Sequence, residues 1–292
     1  MCTVVNTSKN GNFFARTLDM AESFDEVLAV VPRKYPLSFR FEVASGEHYA
    51  YMGMAHVADG APLFYDAVNE CGLCCAALRF AEECHYSEHP DGAPNLASFE
   101  VIPYIMARFP SSEEAFSALR GLSITNDAYS PSLPPSPLHF IVSDKKFSFA
   151  IEPTNQGAAI KRAPLGVLAN APNLPMQLAI YESGAIFDSL DFSSPARFAR
   201  AAELAKRCDP SSSLEMLSSM RALSVPRGFG KGCDCAEHRT VYTSCIDKDK
   251  LEYTVLHEKS AVPQVLSLKR ENIDSQKLSL YEIEPHGVQH IN

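Results

Sequence analysis

What this chain lacks narrows its function before any motif is read. It has no apolar run approaching the length of a bilayer span, so membrane insertion is not expected. It is short of positive charge: Lys plus Arg number 26 against 35 Asp plus Glu, a net charge of −9, with no basic cluster. That balance argues against nucleic acid or an anionic membrane as a partner. Residues 1–10 are polar and carry no apolar h-region, so a secretory signal is not supported and a cytoplasmic location is expected. Nucleotide and serine-hydrolase signatures are missing too. Gly228, Gly230 and Gly232 have the spacing of neither a P-loop nor a dinucleotide fingerprint, and no strand runs into them. No Gly-x-Ser-x-Gly elbow occurs. Without repeats, low-complexity tracts or a linker, residues 1–292 read as one domain. At 46% hydrophobic composition the chain has ample apolar residue for a core.

Cysteine, by contrast, is plentiful. Nine residues (2, 71, 74, 75, 84, 208, 233, 235 and 245) make an odd count, which fits reduced thiols better than a disulfide framework. The Cys71-x-x-Cys74-Cys75 group lies in an apolar run where small thiols pack well. Cys233-x-Cys235 is a poor partner for it in a zinc site. His85 and His89 stand four apart, but Pro90 and Gly92 follow at once, so they read as a loop rather than a metal-binding helix. No metal and no cofactor are expected.

Cys2 stands apart. Trimming of Met1 would leave a free N-terminal cysteine, which carries a nucleophile and a base in one residue. Its α-amine has a reference pKa of about 7.7–8.0, so at neutral pH it is placed to take the proton of the thiol, reference about 8.5.

Strands dominate the first third. Residues 2–5 and 12–17 flank an Asn10-Gly11 turn. Residues 39–43 and 48–54 read as a second hairpin around 45–47, and 63–68 with 73–80 as a third. A helix is expected over 95–109, kinked or restarted at Pro103. Another follows from 113 to 122 behind a capping-box-like Ser111–Glu114 start. Four prolines between Pro131 and Pro137 demand a rigid loop. Then come a hairpin over 138–152, helices from Ser194 to about Cys208 and from Ser213 to about Leu223, and a hairpin over 240–257. Strands, helices, then strands again argue for an α+β fold with antiparallel sheet.

Several segments together resemble the choloylglycine hydrolase family, the N-terminal-nucleophile amidases that include bile salt hydrolases and penicillin V acylases. They are Met1-Cys2-Thr3, then Phe14-Ala15-Arg16-Thr17-Leu18-Asp19, like F-x-R-x-x-D, and Asn69-Glu70-Cys71-Gly72-Leu73, like N-E-x-G-L. Leu138-His139 with Ser143-Asp144, Leu168-Ala169-Asn170-Ala171-Pro172, Ser194-Pro195-Ala196-Arg197-Phe198 and Arg239-Thr240 with Tyr242-Thr243-Ser244 continue the series. They fall in the family's order across nearly the whole chain.

The resemblance implies a four-layer αββα sandwich and a hydrolase of linear amides. It makes Cys2 the nucleophile and Arg16 the cation beside the thiol. Asp19 would position the α-amine, and Asn170 would meet the oxyanion together with the backbone N–H of residue 79. Arg197 would complete the polar site. The implied substrate is a small amphipathic acyl amide, first a glycine- or taurine-conjugated bile salt. The alternatives are penicillin V or an N-acyl homoserine lactone, and, more remotely, a catalytically silent binder of amphipathic ligands.

Two departures stand out. Arg79 occupies a position where bile salt hydrolases typically carry Asn and penicillin V acylases often Tyr, and a cation there suits a carboxylate or sulfonate on the substrate. Only 26 residues separate Asn170 from Arg197, a short interval for the family, so a homo-oligomer is expected but not the family's tetramer.

Overall fold

Near-continuous burial along the first hairpin sets the frame. The structure, a computed structural model, describes every residue except 45, 88–93, 230–237, 286 and 291–292. β1 (Cys2–Ser8) and β2 (Asn12–Met20) pair antiparallel from Cys2↔Leu18 to Ser8↔Asn12 across the short turn that Asn10-Gly11 predicts. β3 (Val27–Val31), β4 (Tyr51–Ala58), β5 (Ala61–Asn69) and β6 (Cys74–Arg79) follow. The hairpin expected over 39–54 does not form. Residues 39–43 are irregular, and the strand before β4 in the sheet is β3, an unbroken Val-Leu-Ala-Val-Val run buried on both faces, which alternation alone does not reveal.

The expected helix over 95–109 is shorter. Residues 95–97 form β7 (Asn95–Ala97), and α1 (Val101–Arg108) begins just ahead of Pro103. Proline is tolerated in a first turn, where its missing N–H has no intrahelical partner to lose. α2 (Ser112–Ala118) is capped by the Ser111 hydroxyl, which accepts from Glu114 N–H. β8 (Ser123–Thr125) pairs parallel with β7. β9 (Leu138–Ser143), β10 (Ser148–Thr154), β11 (Gly157–Arg162), β12 (Val167–Leu168) and α3 (Leu174–Glu182) come next, the last three unforeseen in the sequence. α4 (Ser194–Arg207) starts behind a Ser193 cap with proline in its first turn, and α5 (Ser213–Met220) behind a Ser212 cap; both helices begin where the sequence implies. β13 (Arg239–Asp247), β14 (Glu252–His257), β15 (Gln264–Ser267), β16 (Ser279–Glu284) and β17 (Gly287–His290) close the chain.

The strands form two antiparallel sheets, one ordered β12-β1-β2-β13-β14-β15 and the other β11-β10-β9-β6-β5-β4-β3-β16-β17. α4 and α5 cover the six-stranded sheet, α1 and α2 the nine-stranded one. The result is an αββα stack. In β6, Cys74, Ala76 and Leu78 join the layer between the sheets, while Cys75 and Ala77 face the α1 layer. A strand's period of two therefore sends Cys74 and Cys75 into different layers, and Cys71 is exposed in the preceding turn. In that turn Asn69 Oδ1 accepts from Cys71 N–H and Leu73 N–H, and Gly72 takes the φ of +82° that glycine adopts without strain.

Candidate active site

The pleat of β1 and β2 sorts the sequence-derived residues onto two faces. Cys2, Val4, Arg16 and Leu18 are paired across the hairpin and point between the sheets. Thr3, Thr17 and Asp19 are offset by one and point toward α4.

On the inner face, Arg16 is fully buried and forks. Its Nη2 donates to Cys2 Sγ at 3.0 Å, and its Nη1 donates to the Tyr65 carbonyl at 2.7 Å and to Asp66 Oδ2 at 3.3 Å. Asp66 also accepts from the Tyr242 hydroxyl at 2.7 Å and from the Tyr253 hydroxyl. Burial pushes the Asp66 carboxyl up, against the pull of Arg16 and the two tyrosines. For Arg16, burial works against the charge, yet Tyr242, Cys2 and Asp66 together raise its pKa above the ordinary arginine value. The guanidinium beside the thiol is therefore a permanent cation.

The Tyr65 carbonyl is available because β5 bulges there: Met54 pairs with Asp66 but Ala55 with Phe64, leaving Tyr65 as the extra residue. The register between β5 and β6 also stops at Asp66↔Ala76, although both strands continue past it.

On the outer face, the fully buried Arg197 of α4 gathers the backbone. Its Nη1 donates to the Cys2 carbonyl and to Thr3 Oγ1, both at 2.5 Å; Nη2 donates to Asn170 Oδ1 at 2.7 Å, and Nε to the Phe192 carbonyl at 3.1 Å. Asp19 Oδ2 lies 3.8 Å from Arg197 Nη1. The Asp19 carboxylate also accepts from Thr240 Oγ1 at 2.6 Å and from Thr17 Oγ1 at 3.3 Å. Burial lowers the Arg197 pKa, with partial relief from Asp19 and Cys2. At the head of the chain Asp19 acts through its main chain: its N–H donates to the Met1 carbonyl at 2.7 Å, and its carbonyl accepts from the Met1 amine.

Asn170 joins both faces. Its Oδ1 accepts from Cys2 N–H at 2.7 Å as well as from Arg197, which turns Nδ2 toward the Arg79 carbonyl at 2.8 Å. The Asn170 carbonyl is held in turn by Gln177 of α3. A strand residue's N–H and C=O point to the same edge. Phe80 N–H pairs with Pro137 on the other edge, so the N–H of Arg79 shares the edge that faces Asn170. The Arg79 side chain is exposed.

A cavity of about 350 Å³ opens onto Cys2, Asp19 and Arg79, walled by aromatic and apolar groups such as Phe24, Phe99 and Tyr129 and by the 133–137 proline loop. All six sequence-derived residues, Cys2, Arg16, Asp19, Asn170, Arg197 and Arg79, thus meet at one end of the sandwich. Arg227 lies apart in an exposed turn. Glu70, from the N-E-x-G-L-like segment, is turned to structure instead, pairing with Arg33 and accepting from Ala50 N–H. Cys233, Cys235 and His89 lie outside the described residues. Among the described residues no group of three His, Cys, Asp or Glu side chains is placed to share a metal ion. Sequence reading missed Tyr65, Asp66, Tyr253 and Gln177. The available signal was Asp66 itself, a carboxylate inside the apolar Phe64–Val68 run, where a buried charge must be partnered.

A model of the linear amide C–N hydrolases, choloylglycine hydrolase family, matches residues 2–187 and 189–281. A bile salt hydrolase/transferase of Lactiplantibacillus plantarum is 32% identical over 315 residues, covering 97% of this chain and 97% of that protein. The fold superposes on a mutant conjugated bile acid hydrolase from Clostridium perfringens with TM-score 0.88 at 24% identity, covering 100% of both chains. It matches a penicillin V acylase from Agrobacterium tumefaciens with TM-score 0.82 at 18% identity, over 100% of this chain and 98% of the other.

Proposed function

The chain belongs to the choloylglycine hydrolase family of linear amide C–N hydrolases, and on that premise we propose that it deconjugates glycine- or taurine-linked bile salts with Cys2 as nucleophile. Residues 1–292 act as one N-terminal-nucleophile domain from which Met1 is removed. The observation that carries this reading is the convergence on Cys2 of Arg16, which donates to the thiol, and Asn170, which accepts from the Cys2 N–H and donates to the Arg79 carbonyl of the other sheet.

The α-amine of trimmed Cys2 takes the thiol proton, and the sulfur adds to the amide carbonyl carbon. The negative charge that develops on oxygen is met by the second Asn170 Nδ2 proton and the Arg79 N–H. Such preorganised donors are typically worth about 10²–10³ in rate each. The C–N bond then breaks, the Cys2 ammonium returns its proton to the leaving nitrogen, and a thioester remains. Water, deprotonated by the same amine, releases the acid. Arg197 and the Asp19 carboxylate lie behind the thiol and hold Cys2 and Asn170 in register. The apolar walls of the cavity suit an amphipathic acyl group.

Among the described residues no helix is long and apolar enough to cross a membrane; we place the enzyme in the cytoplasm. The interval between Asn170 and Arg197 holds α3 and a short connection, in keeping with a homo-oligomer built differently from the family's tetramer.

The test is amine release from glycocholate and taurocholate by the trimmed protein, with penicillin V and an N-acyl homoserine lactone alongside. Bile-salt turnover that Cys2→Ala abolishes is the expected result. Turnover of penicillin V or the lactone alone would move the acyl class, and none at all would sink the amidase reading.

A further inference from the structure

We propose that the space Met1 occupies is the seat of the leaving amino acid, formed by the main chain of Asp19 and the guanidinium of Arg79, and selective for amines that carry a carboxylate or sulfonate. The proposal rests on the amidase reading above and adds where the departing half of the substrate is held.

Proton economy locates the seat. When the C–N bond breaks, the leaving nitrogen takes its proton from the α-amine of Cys2 and must lie about 2.6–3.2 Å from it. That amine nitrogen is the atom to which Met1 is bonded in the untrimmed chain. The leaving nitrogen therefore enters the place of the Met1 carbonyl group, and the rest of the leaving amine extends into the place of Met1.

Met1 shows what that place offers. It continues β1 by one residue: its carbonyl accepts from the buried Asp19 N–H at 2.7 Å and its amine donates to the Asp19 carbonyl. The Met1 carbonyl oxygen stands in for an acceptor oxygen on the leaving amino acid. In the trimmed chain this strand edge has lost its partner, and a buried N–H without an acceptor is costly. An amino acid satisfies it; a simple alkylamine does not.

Charge selects further. Arg79 lines the same cavity as Met1, Cys2 and Asp19. Among the described residues no carboxylate pairs with it. Burial chiefly lowers the pKa of the Met1 ammonium, and the Arg197 and Arg79 cations lower it further. The other nearby arginine, Arg197, is already committed to Cys2, Thr3 and Asn170. An anionic tail on the leaving amine thus meets an uncommitted guanidinium. Met1 removal acquires a second purpose: it frees the amine and also empties the seat.

The experiment compares kcat/KM for cholylglycine and cholylglycinamide, which share an acyl group and differ in one charge. In the trimmed protein the ratio is expected at about tenfold or more in favour of glycine. It should fall toward one in Arg79→Ala and recover in part in Arg79→Lys. An equal ratio in the trimmed protein and Arg79→Ala overturns the proposal while the amidase reading stands. If neither amide is cleaved, that reading fails, and the seat is tested by alkylation of Cys2 with iodoacetamide. Slowing by taurine but not by ethanolamine, lost in Arg79→Ala, sustains the seat; no slowing by taurine overturns it.

Discussion

Arg16 and Arg197 are both fully buried and lie on opposite faces of the same sheet, yet their pKa values move in opposite directions. Burial alone disfavours either cation. Around Arg16 the acidic neighbours Tyr242, Cys2 and Asp66 outweigh that penalty and the pKa rises. Around Arg197 the close acceptors are neutral oxygens from Cys2, Thr3, Asn170 and Phe192, its one carboxylate stands 3.8 Å off, and the pKa falls. The difference separates two duties. Arg16 is an electrostatic partner of the reacting sulfur; Arg197 is a brace that spends its donors on geometry.

The sharpest way to break the comparison is to remove the brace. Arg197→Ala leaves the Cys2 carbonyl, Thr3 and one side of Asn170 without a donor and strands Asp19. We expect turnover to fall about a thousandfold or more, with a stability loss of about 3–5 kcal/mol in urea unfolding, the usual cost of breaking a buried pair from one side. Full stability in this variant would show that Arg197 braces nothing.

Arg16→Gln should separate the duties next. Turnover is expected to drop about a hundredfold, and alkylation of Cys2 by iodoacetamide at fixed neutral pH to slow about tenfold, because the cation that favours a reactive sulfur is gone. A soluble, folded Arg197→Gln variant should alkylate at nearly the parent rate. Equal slowing in both would erase the distinction.

A third buried charge sharpens the rule that partners decide the outcome. Glu26 is pushed up by burial but pulled down harder by His257, Ser23 and the Phe24 N–H, to about 2 from 4.5. A depressed carboxylate contributes stability above its unfolded pKa and loses it as pH falls through the folded value. Between pH 4.5 and 2 the parent should therefore lose up to about 3 kcal/mol from this group. Glu26→Gln should flatten that acid limb, and an unchanged limb would mean that His257 does not hold the carboxylate.

Much of this arrangement was legible in the chain itself. The Asn10-Gly11 turn, the helix starts at Ser194 and Ser213 and the hairpin over 240–257 are local signals, and these elements came out close to their expected bounds. Local reading failed where a segment owes its form to distant partners. β3 is buried on both faces between β4 and β16, and the irregular 39–43 segment carries the alternation that β3 lacks. At the site, Cys2 was marked by its place behind Met1, whereas Arg16, Asn170 and Arg197 were reachable only through family resemblance, since nothing nearby marks them. Asp66, Tyr242 and Tyr253 come from three strands and meet only after both sheets form. For Asp19 the resemblance implied only that it positions the α-amine; the bonds to the first residue come from its main chain.

The contacts from Asn170 to Arg79 and from Arg16 to Tyr65 each run from one sheet to the other. The reacting group is therefore a clasp closed across two slabs, and its geometry is conditional on their spacing. A slight splay or slip of one slab against the other parts the Arg79 main chain from Asn170, and Tyr65 and Asp66 from Arg16, at the same time, while each sheet keeps its own ladder intact. The molecule in effect carries a strain gauge at its working end, one that reads failure of the stack well before the chain comes apart.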